Sequence, residues 1–290
     1  MWDFLAKPFG IIMEFIYRTL AFENYGLAII LFTVFVRLLI LPLTIKQQKS
    51  SLKMQALQPE LNALKERYGD DRQKLYEEQN KIYQKYGVSS LAGCFPTLIQ
   101  FPIILVIYRI IRRPLSFLSG MTAEAITKIG IIAGLTEKTA IDSQINIIAF
   151  FRQTPEKIAE AAQEIGSTTA ELESNLINMR FLKIFDLSLT PKVNFWVDWK
   201  VYLPLLLIPL LVVATSYLQQ WLLTPRKKKG EKDPSAGAMN IMTKLLPLMT
   251  MVFCFILPAG LGLYFLVGNV LSIGQTALIN KLYKKKKEGA

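Results

Sequence analysis

The sequence predicts an all-α, polytopic membrane protein. Five transmembrane helices form its core, a charged helical hairpin lies on the cytoplasmic side, and an N-terminal amphipathic helix lies in the interface. Three observations lead there. The chain of 290 residues is 52% hydrophobic, and its apolar residues gather in runs close to the ~20 residues that match a bilayer core of about 30 Å. No Asp or Glu falls inside those runs. The Lys and Arg residues, behind a formal net charge of +12, concentrate in segments that five crossings place on one side.

Residues 1–23 (MWDFLAKPFGIIMEFIYRTLAFE) are apolar but broken by Lys7, Pro8, Glu14 and Arg18. That pattern predicts an extracytoplasmic interfacial helix rather than a span or a cleavable signal. Residues 24–45 form the first span. Residues 46–93 form the hairpin. Leu57, Leu61, Leu64 and Tyr68 make one helical stripe, which Pro59 either kinks or starts afresh. Gly69 closes that helix, and Asp70-Asp71 caps the next, whose face carries Leu75, Ile82, Tyr83 and Tyr86 before Gly87. The hairpin reads either as a connector or as a docking arm for a partner or for anionic headgroups.

Residues 94–113 form the second span. Residues 114–200 read as a mostly helical outer segment, with starts at Thr154-Pro155-Glu156 and at the Thr168-x-x-Glu171 capping box. Trp196, Trp199 and Tyr202 suit an aromatic belt before the third span, 201–223. A basic loop, 224–240, leads to the fourth span, 241–257. Pro258-Ala259-Gly260 makes a tight turn into the fifth, 258–282, and a basic tail, 283–290, follows.

Segment 46–94 holds nine Lys/Arg and six Asp/Glu, 223–244 holds six and two, and 281–290 holds five and one. Segment 114–200 holds eight and ten. The excess of cations puts the first three in the cytosol, so the N-terminus is outside and the C-terminus inside. Arg109, Arg112 and Arg113 run against this trend at the outer end of the second span, where snorkelling to the headgroups is the simplest account.

The chain has no histidine, which excludes Ser-His and Cys-His catalysis and the usual zinc sites. Its two cysteines, Cys94 and Cys254, make no disulfide framework. The sequence predicts no enzyme, cofactor or metal.

Arg37 lies near the middle of the run Leu27–Ile45, with no acid in any span to pair it. A cation there costs roughly 2.5 to 3.5 kcal/mol, and a dry bundle does not tolerate it unpaired. A water-filled cavity is the favoured setting. Thr33 shares the face of Arg37 one turn earlier. Gln100, Thr215, Ser216, Gln219, Asn269 and Gln275 are further candidates to line the cavity, with interhelical hydrogen bonding as the ordinary alternative. Met239, Met242, Met249 and Met251 cluster around the fourth span, as gap fillers or as an adaptable apolar surface. The tract Arg226, Lys227, Lys228 and Lys229 and the tail Lys284, Lys285, Lys286 and Lys287 read as orientation signals and lipid contacts, or as contacts to ribosomal RNA.

Three stretches then carry a resemblance: NYGLAIILFTVFVRLLILPLT, MQALQPELNALKERYGDDRQKLYEEQNKIYQKYGVSSLAGCFPTLIQFPI and ILPAGLGLYFLVGNVLSIGQ. Together they resemble the YidC/Oxa/Alb membrane protein insertase family, in its Gram-positive form, over most of the chain except roughly 119–182. The resemblance implies insertion and folding of membrane proteins, alone or beside the Sec translocon, through a hydrophilic groove open to the cytosol and closed outside. It places Arg37, Thr33, Gln100, Gln219 and Tyr264 in that groove. Phe265 departs from the family's usual Tyr or Trp and loses a polar tip. The partners implied are nascent membrane proteins, the Sec translocon, the ribosome with signal-recognition components, and anionic lipids, in a bacterial plasma membrane and with no small-molecule substrate. The rival is a small-anion channel or carrier with Arg37 as its binding site, although no internal repeat supports a carrier. A structural translocon subunit is the third reading.

Overall fold

The computed structural model describes residues 2–69, 71–88, 95–192, 196, 198–223 and 236–288. Helix α1 (Trp2–Phe15) continues into a wider π-type turn, Ile16–Leu20. Ala6, Met13 and Tyr17 are buried on one face, while Phe4, Ile11 and Phe15 stand exposed on the opposite one. Arg18 pairs with Glu14 and donates to the Leu118 carbonyl at 3.0 Å, which ties this helix to the outer layer.

Helix α2 (Tyr25–Ala56) starts at Asn24, whose side chain accepts from the Leu27 N–H at 3.0 Å. It runs for 32 residues, through Pro42 and past Ile45. The sequence turns polar there, but the helix does not stop. Lys, Gln and Leu are good helix formers, so the change is one of surroundings rather than of backbone.

Helix α3 (Gln58–Tyr68) starts afresh with Pro59 in its first turn, where a missing N–H is harmless. Helix α4 (Arg72–Tyr86) is capped by Asp71, which accepts from the Lys74 N–H at 3.0 Å, and closed by Gly87 at φ +59. Leu57, Leu61, Ile82 and Val88 form a small separate core between the two helices, flanked by Leu64 and Tyr83. Tyr68 is half-buried outside that cluster, and Tyr86 is exposed.

Helix α5 (Phe95–Arg112) leads into an outer layer of short helices: α6 (Pro114–Phe117), α7 (Ala123–Ile132), α8 (Glu137–Asp142), α9 (Gln144–Gln153), α10 (Ile158–Glu164) and α11 (Thr169–Asn175). Thr122, Thr136 and Thr168 each cap a helix by accepting a backbone N–H three residues on. An antiparallel pair follows, β1 (Arg180–Phe181) and β2 (Phe185–Asp186), which the sequence did not announce. Leu182 and Lys183 take positive φ in its turn, where Asn-Gly is the usual signal. The Phe181 ring fills the place of a side chain at Gly26, since a Cβ there would sit 2.1 Å from it.

Helix α12 (Trp199–Leu223), α13 (Ala236–Ile256) and α14 (Ala259–Glu288) complete the chain. Tyr25–Ala56, Trp199–Leu223 and Ala259–Leu282 are long and apolar enough to cross a membrane. The other two expected spans fall on α5 and α13. Helix α14 is central, packed against α2, α5, α12 and α13. Its first N–H groups, at Ala259 and Gly260, donate to the carbonyls of Leu189 and Leu187 at 2.8 and 3.0 Å. Groups that normally lack a partner at a helix start are thus matched by the strand segment.

One apolar core joins the helices to the outer layer, from Ile29, Ile110 and Leu261 to Ile126, Ile147 and Leu172. Arg113 of the helix bundle pairs with Asp142 of the layer. The guanidinium of Arg113, by its hydrogen bond above all, holds the Asp142 carboxyl below the usual carboxylate range. The folded state therefore binds fewer protons, and the pair stabilises above the unfolded carboxyl value and is lost as pH falls through the folded one. The effect is modest, because the Asp142 side chain is 45% exposed. Unfolding midpoints in detergent should show Asp142→Asn less stable than the parent at about pH 6, with the gap narrowing as pH falls below about 4. An unchanged gap would show that the pair does not couple the layer to the bundle.

Candidate functional site

Five polar residues of α2 fall on one stripe. Thr33, Arg37, Thr44, Gln48 and Gln55 follow at spacings of four, seven, four and seven, which stay on one side of a helix. The stripe meets α14 and, at its far end, α12. The Gln275 amide donates to Thr44 at 2.8 Å, and Gln48 donates to the Thr276 carbonyl at 3.3 Å. Gln55 donates to the Leu223 carbonyl at 2.7 Å.

Arg37 breaks this pattern of matched pairs. Its Nε is buried and has no hydrogen-bond partner. Among the described residues no carboxylate pairs with it. Its guanidinium lies flat against α14 at Gly268, where an added Cβ would sit 2.8 Å from Nη2 and 3.5 Å from Nε. Tyr264 lies one turn before Gly268 on the same face. It is buried, and its hydroxyl accepts from the Gln100 amide at 2.7 Å, bringing α5 into the same junction. Phe265 is half-buried, its ring tilted against Tyr264 with centroids 5.7 Å apart. Thr33 is fully buried, but its hydroxyl donates to the Ile29 carbonyl of its own helix at 2.6 Å.

Gln219 lies on the neighbouring seam, where its amide donates to Ser272 at 2.7 Å. Asn269 donates to Ser216 at 2.8 Å and to Thr215 at 3.1 Å on α12. Interhelical hydrogen bonding, the ordinary role of such residues, is therefore met by Gln100, Gln219, Asn269 and Gln275. Gly268 and Ser272 were not read as site residues. Both follow Tyr264 at helical spacing, which puts them on its face but does not tell which side chain lies opposite. Arg226 to Lys229 lie outside the described residues, as do the side chains of Lys284 to Lys287, Met239 and Met242. Met249 is exposed.

Burial changes at the level of Arg37. On α2 the buried residues are Tyr25, Gly26, Ala28, Ile29, Phe32, Thr33 and Val36, and beyond them only Gln48. On α12 they are Leu205, Ile208, Pro209 and Val212, with none after Val212. On α14, Ala259 to Tyr264 are buried without interruption. The helices close tightly beside the outer layer and loosen beyond Arg37.

Losing one side of the Gln100–Tyr264 bond strands a buried polar group. Gln100→Ala and Tyr264→Phe should each lower stability by about 1 kcal/mol. The double variant should lose less than the sum, read as unfolding midpoints in detergent. Strict additivity would mean that the two groups do not interact.

The matching family model, described as 60Kd inner membrane protein, covers residues 15–287. The membrane protein insertase MisCA of Bacillus subtilis (strain 168) is 31% identical over 283 residues, 96% of this chain and 78% of that protein. Membrane protein insertase YidC 1 of Halalkalibacterium halodurans is 33% identical over 285 residues, with 96% and 79% covered. ALBINO3-like protein 1, chloroplastic, of Arabidopsis thaliana is 31% identical over 258 residues, 89% of this chain but 43% of that protein. The extent of the family match and the agreement of these relatives place the chain in the 60Kd inner membrane protein family, the YidC/Oxa/Alb insertases.

Proposed function

We propose that this protein inserts membrane proteins by electrostatic capture at Arg37, without an energy-consuming active site. One observation carries the reading. The only cation in the apolar run of α2 lies where the tight burial of the helices ends, with its buried Nε unpartnered and no carboxylate pairing it among the described residues. An acidic tail of an incoming chain supplies the missing partner, at a dielectric below that of water. The apolar segment of the same chain moves into lipid, driven by its own burial. The loosened ends of α2, α12 and α14 form a groove open to the cytosol, and the outer layer closes the far side.

In this reading α5 and α13 complete five spans, with the N-terminus outside and the C-terminus in the cytosol of a bacterium. Helices α3 and α4 receive the nascent chain. The basic tract and tail contact the ribosome or anionic lipid, and the protein works alone or beside Sec. The apolar face of α1 lies on the outer leaflet.

A photo-reactive residue tests the groove best at Gln219, which is half-buried; Thr33 is too deeply enclosed to carry a probe. Crosslinks to a stalled nascent membrane protein are expected. An anion conductance with no nascent-chain adduct would favour the carrier reading instead.

A further inference from the structure

The last turn of α5 borders a second polar feature, distant in sequence from Arg37. A cavity of about 300 Å³ is lined by Leu105, Tyr108, Arg109, Arg112, Arg113 and Asp142. Three guanidiniums therefore share the space with one carboxylate, and that carboxylate pairs with Arg113. Arg109 and Arg112 also act on Asp142 through space, so all three cations are within electrostatic reach of that one carboxylate. Arg112 has a neutral partner. Its Nη1 donates to the Tyr108 hydroxyl at 2.6 Å, and its guanidinium lies over that ring at 5.3 Å from the centroid. The contact fixes the fork in place without discharging it.

A single cation in the last turn suffices to complement a helix dipole. Three around one cavity call for an anion. A tetrahedral oxyanion suits several converging forks better than a planar carboxylate does. The surroundings also give the anion a direction. Phe101, Leu105, Tyr108 and Arg112 follow one face of α5, and Phe101 is 60% exposed. A polar head at Arg112 would thus continue into an apolar strip along the helix.

We propose that this cavity binds the phosphate group of an anionic phospholipid, with an acyl chain lying along Leu105 and Phe101. The lipid source rests on reading α5 as a span; the phosphate site does not. Native mass spectrometry of the full chain in detergent tests both. Phosphatidylglycerol and diacylglycerol of identical acyl chains, which lacks the phosphate, are compared, with glycerol phosphate as a soluble probe. The protein should prefer phosphatidylglycerol by about tenfold, as expected for one charge-assisted hydrogen bond. Arg112→Gln should abolish the preference, and Arg112→Lys should keep part of it, which guards against a folding defect in the first variant. Equal retention of the two lipids by the parent, or an undiminished preference in Arg112→Gln, overturns the site. Glycerol phosphate binding as tightly as the lipid upholds the phosphate site and overturns the lipid. None of these readings uses insertion, so the role of Arg37 stands or falls separately.

Discussion

Arg37→Ala will abolish insertion of a substrate with a short acidic outer tail, while Arg37→Lys will retain most of it. The sign follows from charge. Two unit charges 4 Å apart attract by about 4 kcal/mol at an effective dielectric near 20. Even a quarter of that changes capture roughly fivefold at 1.4 kcal/mol per decade. Lysine keeps the charge but loses the fork, so a partial defect is expected. Substrates with neutral tails should be much less affected. The measurement is protease protection of the translocated tail after synthesis into vesicles, at matched protein levels. Equal protection with Arg37→Ala would remove Arg37 from the mechanism. The alanine variant should also unfold at a higher temperature, because it removes a half-buried cation whose Nε is buried without a partner.

Gly268→Ala should impair the same acidic-tailed substrate without touching the charge. A Cβ at 268 meets the far end of the flexible Arg37 chain, so the guanidinium gives way and the backbone does not. Glycine inside a helix is also destabilising by about 0.5 to 1 kcal/mol relative to alanine. Stability should therefore hold while insertion falls several-fold. Gly262→Ala makes the contrast: its Cβ would lie 2.6 Å from Cγ2 of Ile208, a buried neighbour with little room to move. That variant should lose stability first. Loss of insertion by Gly268→Ala only in step with unfolding would show that Gly268 serves packing rather than the position of Arg37.

The helices and the unpaired cation were legible because hydropathy and charge are local. The run around Arg37 needs no tertiary knowledge, nor does the four-residue spacing from Thr33. Asp71, Gly87 and Thr168 were legible for the same reason, since a cap is set by two or three neighbours. Gly268 was illegible. A glycine in an apolar helix means nothing until the side chain facing it is known. The pair β1–β2 was illegible because its turn uses Leu182 and Lys183 in a conformation that normally advertises itself through Asn or Gly. The continuation of α2 past Ile45 was masked by treating a change in polarity as a change in backbone.

That continuation sets a distance. From Arg37 to Ala56 the helix rises about 28 Å at 1.5 Å per residue. The small core of α3 and α4 begins immediately after, at Leu57. The guanidinium and the start of that small core therefore ride on one continuous helix. An incoming chain that touches both at once must offer about eight or nine extended residues between its two contacts. If the proposed route holds, the stem would act as a gauge of tail length: tails shorter than this would let go of α3 and α4 before their acid reached Arg37, and longer ones would be held at both ends.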